Sequence, residues 1–319
     1  MPVLLAGCGD LGTEAGLRFA AAGHRVVGWR RSPEKLPAAI EGAAANLSSG
    51  TLPPIPAGTT AVVVAIAADA PTEEAYRAAY VDGLANVLDA VEGAGQRNGA
   101  APLRVLFVSS TAVYGDAGGD WIDEGTTPAP GGFSGRIIRE AEELLYSRLR
   151  GTGITPVVLR LGGIYGPGRT RLIDQVRSGT AVAPAEPRFT NRVHRDDAAA
   201  AIVHLCTMDA APGPLYLGVD NEPAELGEVL TFLAAELGLP QPPSDAALAS
   251  GSGAGSGASG SGASGSGAGS AARAGGGPSR GGNKRCSNAL LRGTGFAPQY
   301  PSFREGYRAV LAGVGVRHP

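Results

Sequence analysis

A chain of 319 residues with 27 basic and 29 acidic side chains, and a formal net charge of -2, has room for a sizeable core and no basic field to hold a nucleic-acid backbone or an anionic membrane. A small molecule is therefore the expected partner. The cysteines, Cys8, Cys206 and Cys286, lie far apart outside any CxxC pair, and no run nears the ~20 apolar residues of a membrane span, so neither a disulfide framework nor a zinc site is indicated and a reducing cytoplasm is the expected setting.

The opening MPVLLAGCGDLG meets glycine after a few apolar positions and reads as a buried strand rather than a signal peptide. Short apolar runs then alternate with longer amphipathic ones, as in a βαβ series around a buried parallel sheet. Strands are predicted over Val3 to Ala6, Arg25 to Trp29, Ala61 to Ala65, Val105 to Ser109 and Val157 to Arg160, and helices over Leu11 to Ala22, Thr72 to Gly95 and Gly135 to Leu149. The last helix is acidic early (Glu140, Glu142, Glu143) and basic late (Arg148, Arg150), which suits the helix dipole, and Gly151 stops it. Beyond Gly166 the pieces shorten: a helix over Asp196 to Met208, a strand over Pro214 to Gly218 and a helix over Leu226 to Leu237. Residues 249–282 are almost all Gly, Ser and Ala and cannot bury a core. The expected fold is α/β, a Rossmann-type doubly wound parallel sheet with a smaller C-terminal substrate lobe. Its divisions are a Rossmann-type domain over 1–166, the lobe over 167–248 and 283–319, and a flexible insertion at 249–282.

Gly7-Cys8-Gly9-Asp10-Leu11-Gly12 is a GxGxxG placed directly after the first strand and opening the first helix. In that context Gly7 serves the tight turn, Gly9 lets the backbone approach a pyrophosphate, and Gly12 permits close helix packing. Asp10, Leu11 and Ala67 complete the expected cofactor-binding set. At the end of the second strand, where an NAD-specific fold places an acid for the ribose 2′-hydroxyl, the chain reads Gly28-Trp29-Arg30-Arg31-Ser32-Pro33. Two guanidinium groups and the Ser32 hydroxyl suit a 2′-phosphate, so NADP is expected ahead of NAD. An arginine pair that merely solvates a loop is the plainer alternative. Cys8 lies near a helix N-terminus, where a thiol pKa can fall, and is read as a small filler. The four histidines, His24, His194, His204 and His318, form no ligand pattern, and no metal is expected.

Three further segments are informative: VLFVSSTAVYGD (Val105 to Asp116), VLRLGGIYGPGR (Val158 to Arg169) and NRVHRDDAAAAI (Asn191 to Ile202). With the glycine loop, they resemble the extended short-chain dehydrogenase/reductases, the NAD-dependent epimerase/dehydratase superfamily. The resemblance covers nearly the whole chain outside the Gly/Ser stretch. It implies that Ser110, four residues before Tyr114, is a catalytic hydroxyl, that the Tyr165 to Gly168 segment follows the strand passing the nicotinamide, and that His194 to Asp197 stabilises the substrate lobe. It also implies a homodimer through the helices at Glu73 to Gly95 and Gly135 to Leu149.

The departure falls at the family's YxxxK helix, where Ser134 takes the Tyr position and Ile138 the Lys position. No other lysine can step in, because Lys35 and Lys284 are the only two in the chain. The pattern is similar to atypical members that keep GxGxxG and lose the Tyr/Lys pair, and NKRCSNALLRGTGFAPQYPSFREGYRAVL resembles their ending. Two functions follow. One is an NADP-dependent oxidoreductase or epimerase acting on a nucleotide-sugar or other hydroxylated or carbonyl substrate, with Ser110 polarising the carbonyl, Tyr114, Tyr165 or a bound water supplying the proton, and Ser134 a catalytic candidate by its position in the family motif alone. The other is a non-catalytic NADP(H)-binding sensor or regulatory protein. A scaffold with a vestigial cleft is disfavoured by the intact glycine loop.

Overall fold

The computed structural model describes residues 1–95, 103–251 and 282–319. Seven strands form one sheet: β1 (Pro2–Ala6), β2 (Arg25–Arg30), β3 (Glu41–Ala44), β4 (Ala61–Val64), β5 (Arg104–Ser110), β6 (Thr155–Leu161) and β7 (Leu215–Gly218). Their order is β3-β2-β1-β4-β5-β6-β7, and every neighbouring pair runs parallel. Chain order reverses between β1 and β4, the crevice where open α/β sheets take their ligands. The Rossmann-type doubly wound architecture expected from the sequence is thus present.

Apolar runs such as Val-Leu-Leu-Ala in β1 and Ala-Val-Val-Val in β4 are buried along their length because helices cover both faces of the sheet. On one face α1 (Asp10–Ala21) lies beside a later helix; on the other run α2 (Glu73–Tyr76), a π-helical stretch at Arg77–Asp82, α3 (Gly83–Gly95) and α4 (Phe133–Leu149). The Thr72 hydroxyl caps α2 by accepting from the Ala75 N–H. Helix α4 buries Ile137, Ile138, Ala141, Leu145 and Leu149 at helical spacing, and with them the carboxylate of Glu142.

Past the sheet's sixth strand come α5 (Arg171–Arg177), α6 (Arg195–Thr207), which is the partner of α1, α7 (Leu226–Leu237), α8 (Asp245–Gly251), α9 (Ala289–Gly293) and α10 (Phe303–Leu311). Helix α7 ends at Gly238 in the left-handed conformation, φ 66°. Helix α10 opens with a reciprocal cap between Ser302 and Glu305. Tyr165, Ile173, Val229, Leu233, Phe303 and Tyr307 close a third apolar cluster, separate from the two that sandwich the sheet.

The Gly/Ser-rich stretch lies outside the described residues, apart from positions 249–251 at the end of α8 and residue 282. Where the chain is described again it is stitched to the turn after β5. Arg285–Cys286 pairs parallel with Trp121–Ile122, and the buried Lys284 Nζ donates to the carbonyls of Tyr114 and Gly115 at 3.2 and 3.3 Å. No helix among the described residues is long and apolar enough to cross a membrane.

Candidate functional site

The glycine loop occupies the carboxyl end of β1. Gly7 has φ +91°, and a Cβ there would lie 2.5 Å from the Ala65 carbonyl oxygen, so the turn admits glycine alone. A Cβ on Gly12 would come within 2.6 Å of the Gly7 carbonyl oxygen, so Gly12 lets the first turn of α1 close onto the loop. Gly9 differs. It is exposed, serves as N-cap of α1 with no side chain capping the first turn, and a Cβ on it would meet nothing within 4 Å. The backbone of this loop therefore faces open space with first-turn amides that no described side chain has taken.

Arg30 ends β2, half-buried, with Ser32 two residues on, and Ala67 is exposed just past β4. These residues and the glycine loop gather at the carboxyl ends of three adjacent strands. Both arginines already hold partners. Arg31 makes a bidentate pair with Asp69 at 2.7 and 2.8 Å, and Arg30 donates to the backbone oxygen of Pro319 at 3.2 Å. Cys8 is fully buried, and that burial pushes its thiol up to about 11 against the pull of the Thr13 hydrogen bond and the Arg30 charge. The helix terminus does not activate it; the residue is filler.

Asp10 collects partners that sequence reading missed. Its carboxylate accepts from Arg169 Nε at 2.7 Å, Arg195 at 3.0 Å and the His318 N–H at 3.1 Å. Burial pushes this carboxyl up, but the Arg169 and His318 hydrogen bonds and the two guanidinium charges outweigh it and hold Asp10 below the usual carboxylate range. Residues 314–319 lie along this cluster. Arg195 donates to the Val316 carbonyl, Arg317 to the Gly168 carbonyl, and the His318 ring meets Glu14 at 2.8 Å. Arg169 and Arg195 stand inside the YGPGR and HRDD segments, yet nothing in the sequence says that they turn toward residue 10. Asp197 of the same HRDD segment is structural, accepting from the backbone N–H groups of Gln299 and Tyr300 at 2.7 and 2.9 Å.

Ser110 closes β5, next to β4, and its half-buried hydroxyl accepts from the Ala112 N–H at 3.1 Å. An accepting hydroxyl keeps its proton for donation. Ser134 lies in the first turn of α4, and Gly135 beside it presses so closely on the Ala112 carbonyl that no Cβ would fit, which sets Ser134 alongside the turn that follows Ser110. Ile138, read from the sequence as standing at the family's lysine position, is 4% exposed and belongs to the core. Tyr114 is committed elsewhere. Its hydroxyl donates to the Asp123 carbonyl at 3.0 Å and accepts from Arg160 at 2.6 Å, while Arg160 grips Glu142 at 2.8 and 2.6 Å and Ser109 donates to Glu142 at 2.6 Å. Burial holds the Tyr114 phenol above its usual value.

Tyr165 lies in the third apolar cluster, stacked on Tyr307 with ring centroids 4.4 Å apart. Its hydroxyl faces Gly306, it has no hydrogen-bond partner among the described residues, and burial raises its pKa. Nearby, the Nε2 of His194 and one carboxylate oxygen of Asp220 are likewise buried without a partner among those residues. An open recess of about 680 Å³, lined by Ile164, Gly168, Arg169, Arg171 and Gln175 among others, adjoins the Asp10 cluster through Arg169. Among the described residues no cluster of His, Cys, Asp and Glu has the make-up of a metal site.

A parallel sheet with a glycine turn at its switch point is the Rossmann-type α/β architecture. Residues 3–216 match the model of the NAD dependent epimerase/dehydratase family. A protein of Methylobacillus flagellatus described as an NAD-dependent epimerase/dehydratase is 34% identical, with a TM-score of 0.70 over 98% of each chain. The chain belongs to the NAD dependent epimerase/dehydratase family. Protein YeeZ of Escherichia coli K12 is 36% identical over 152 residues, 47% of this chain and 52% of YeeZ, so the match spans about half the length of that curated relative. The human epimerase family protein SDR39U1 (isoform 2), solved with NADPH, shares the fold at 18% identity, with a TM-score of 0.71 over 98% of this chain and 100% of that one.

Proposed function

We propose that the chain binds a nicotinamide dinucleotide, NADP(H) ahead of NAD(H), and serves as an oxidoreductase or epimerase/dehydratase for a hydroxylated or carbonyl-bearing small molecule such as a nucleotide-sugar. The observation that carries this reading is the glycine cradle: Gly7 and Gly12 have no room for a Cβ, whereas Gly9 faces open space beneath uncapped amides. Gly7, Gly9, Leu11 and Gly12 would hold the pyrophosphate by their backbone. The Asp10 carboxylate is neutralised by Arg169 and Arg195 and so does not repel it. Arg30, Arg31 and Ser32 would take a 2′-phosphate, and Ala67 would border the ribose. When bound, the dinucleotide supplies or accepts a hydride.

Ser110, whose hydroxyl accepts from the Ala112 N–H and keeps its own proton, would donate to a substrate carbonyl oxygen, and the recess beside Arg169 would take part of the substrate. With Tyr114 tied to Arg160 and Tyr165 in the third cluster, a water between Ser110 and Ser134 is the proton carrier in this reading. A homodimer through the helical run Glu73 to Gly95 and α4 belongs to the same proposal.

A second reading, an NADP(H)-binding sensor without catalysis, is favoured by Ile138, which buries a core side chain where the family's lysine would meet the nicotinamide ribose. The two are separated by mixing the protein and NADPH with a panel of keto-sugar nucleotides and simple carbonyls, following the nicotinamide absorbance, with Ser110→Ala alongside. Turnover that the variant loses supports the enzyme. Binding without turnover on any substrate supports the sensor.

A further inference from the structure

We infer that residues 314–319 form a specificity-determining strap that competes with the 2′-phosphate of NADP(H) for Arg30. This inference rests on the dinucleotide-binding reading above. The strap is held at successive points from the YGPG turn to the end of β2. Arg317 bonds the Gly168 carbonyl at 3.0 Å, Val316 accepts from Arg195 at 3.0 Å, His318 engages Asp10 and Glu14, and the Pro319 oxygen takes Arg30 at 3.2 Å.

The course of the strap decides which part of the cofactor it opposes. No strap atom lies within 4 Å of where a Cβ on Gly9 would stand, so the pyrophosphate position stays open. Arg30 is engaged, and Arg31 is turned to Asp69. Of the two arginines offered to a 2′-phosphate, one is thus held by the strap and the other by an exposed ion pair. That pair is exposed and screened by water, and a doubly charged phosphate competes with the Asp69 carboxylate for Arg31. The docked strap therefore weakens the hold on NADP(H) and leaves the NAD(H) contacts untouched, and its release restores the full NADP(H) affinity. The device acts through competition for one guanidinium, and its reach is set by how often the strap is docked.

The test uses the full chain and the full-chain variant Arg317→Ala/His318→Ala, which removes two side-chain anchors of the strap and no contact assigned to the cofactor. Kd for NADPH and for NADH is measured on both. A strap docked about nine times in ten predicts that the variant binds NADPH about tenfold more tightly. NADH is expected to change by less than about twofold on the same population argument. In the unaltered protein, amide exchange at His318, whose N–H bonds Asp10, is expected to rise on adding NADPH and not on adding NADH. Weaker NADPH binding by the variant would make the strap a lid over the cofactor and overturn the proposal, as would equal changes for both cofactors or unmoved exchange. If neither chain binds either dinucleotide, the cofactor reading itself fails and the strap's role falls with it.

Discussion

Arg160 of β6 and Glu142 of α4 are joined by two hydrogen bonds of 2.8 and 2.6 Å, with side chains 2% and 0% exposed. Arg139 and Ser109 also donate to that carboxylate, and Arg160 reaches on to the Tyr114 hydroxyl. The pair fixes α4 against β5 and β6 and so sets the distance between the Ser134 and Ser110 elements. Removing one partner leaves a buried charge uncompensated. Glu142→Ala is expected to lose about 3–5 kcal/mol of stability in denaturant unfolding. The Glu142→Leu/Arg160→Met double variant should lose far less than the sum of its parts, because no lone charge remains.

Tyr114 is predicted to act through packing. Tyr114→Phe leaves Arg160 and the Asp123 carbonyl each short of a partner and should cost about 1–3 kcal/mol in unfolding. The rate of a turnover reaction should be kept. A collapse of kcat at preserved stability would instead restore Tyr114 as proton donor.

The glycine loop separates stability from binding. Gly7→Ala forces a side chain into φ +91° against the Ala65 carbonyl and should cost about 1–3 kcal/mol. Gly9→Ala adds a methyl to open space, so stability should shift by less than about 1 kcal/mol. The same methyl enters the space assigned to the pyrophosphate, and dinucleotide affinity should fall about tenfold or more, ~1.4 kcal/mol. Thermal melting and calorimetry on the two variants check both halves.

Much of this was legible in the sequence. β1, β4 and β5 announce themselves as apolar runs because both faces of the sheet are covered, and the glycine loop follows β1 at the expected place. β3 was not legible: Glu-Gly-Ala-Ala is a mostly exposed edge strand with no apolar pattern. The short α5 gains its order from the third cluster, a property of packing rather than of local propensity. Site partners separated widely along the chain were also hidden. His318 reaches Asp10 across 308 positions, and Arg160 reaches Tyr114 across 46, and local motifs cannot register such contacts. Residue type alone made Tyr114 and Tyr165 plausible proton donors; burial gives both hydroxyls other surroundings.

Asp220 makes a pH signature. Burial pushes its carboxyl up to about 7 against the Arg192 charge and the hydrogen bond from the Glu222 N–H, with the Glu222 and Asp197 charges adding to the rise, and one of its oxygens has no hydrogen-bond partner among the described residues. A folded-state pKa above the unfolded value of about 3.9 means that the native protein binds the extra proton. Its stabilising contribution is therefore complete below the unfolded pKa and is lost as pH rises through the folded one. Unfolding free energy measured from pH ~4 to ~7 should fall relative to Asp220→Asn, whose side chain does not titrate. Parallel curves for the two proteins would contradict the assignment.

The measurement that reaches the central claim most directly is calorimetric titration with NADPH and NADH of the unaltered protein and of Arg30→Ala/Arg31→Ala. The account predicts NADPH binding tighter than NADH, a loss of about tenfold or more in NADPH affinity in the double variant, and little change for NADH. Equal affinity for the two dinucleotides would contradict the NADP(H) preference, and binding of neither would contradict the cofactor site itself.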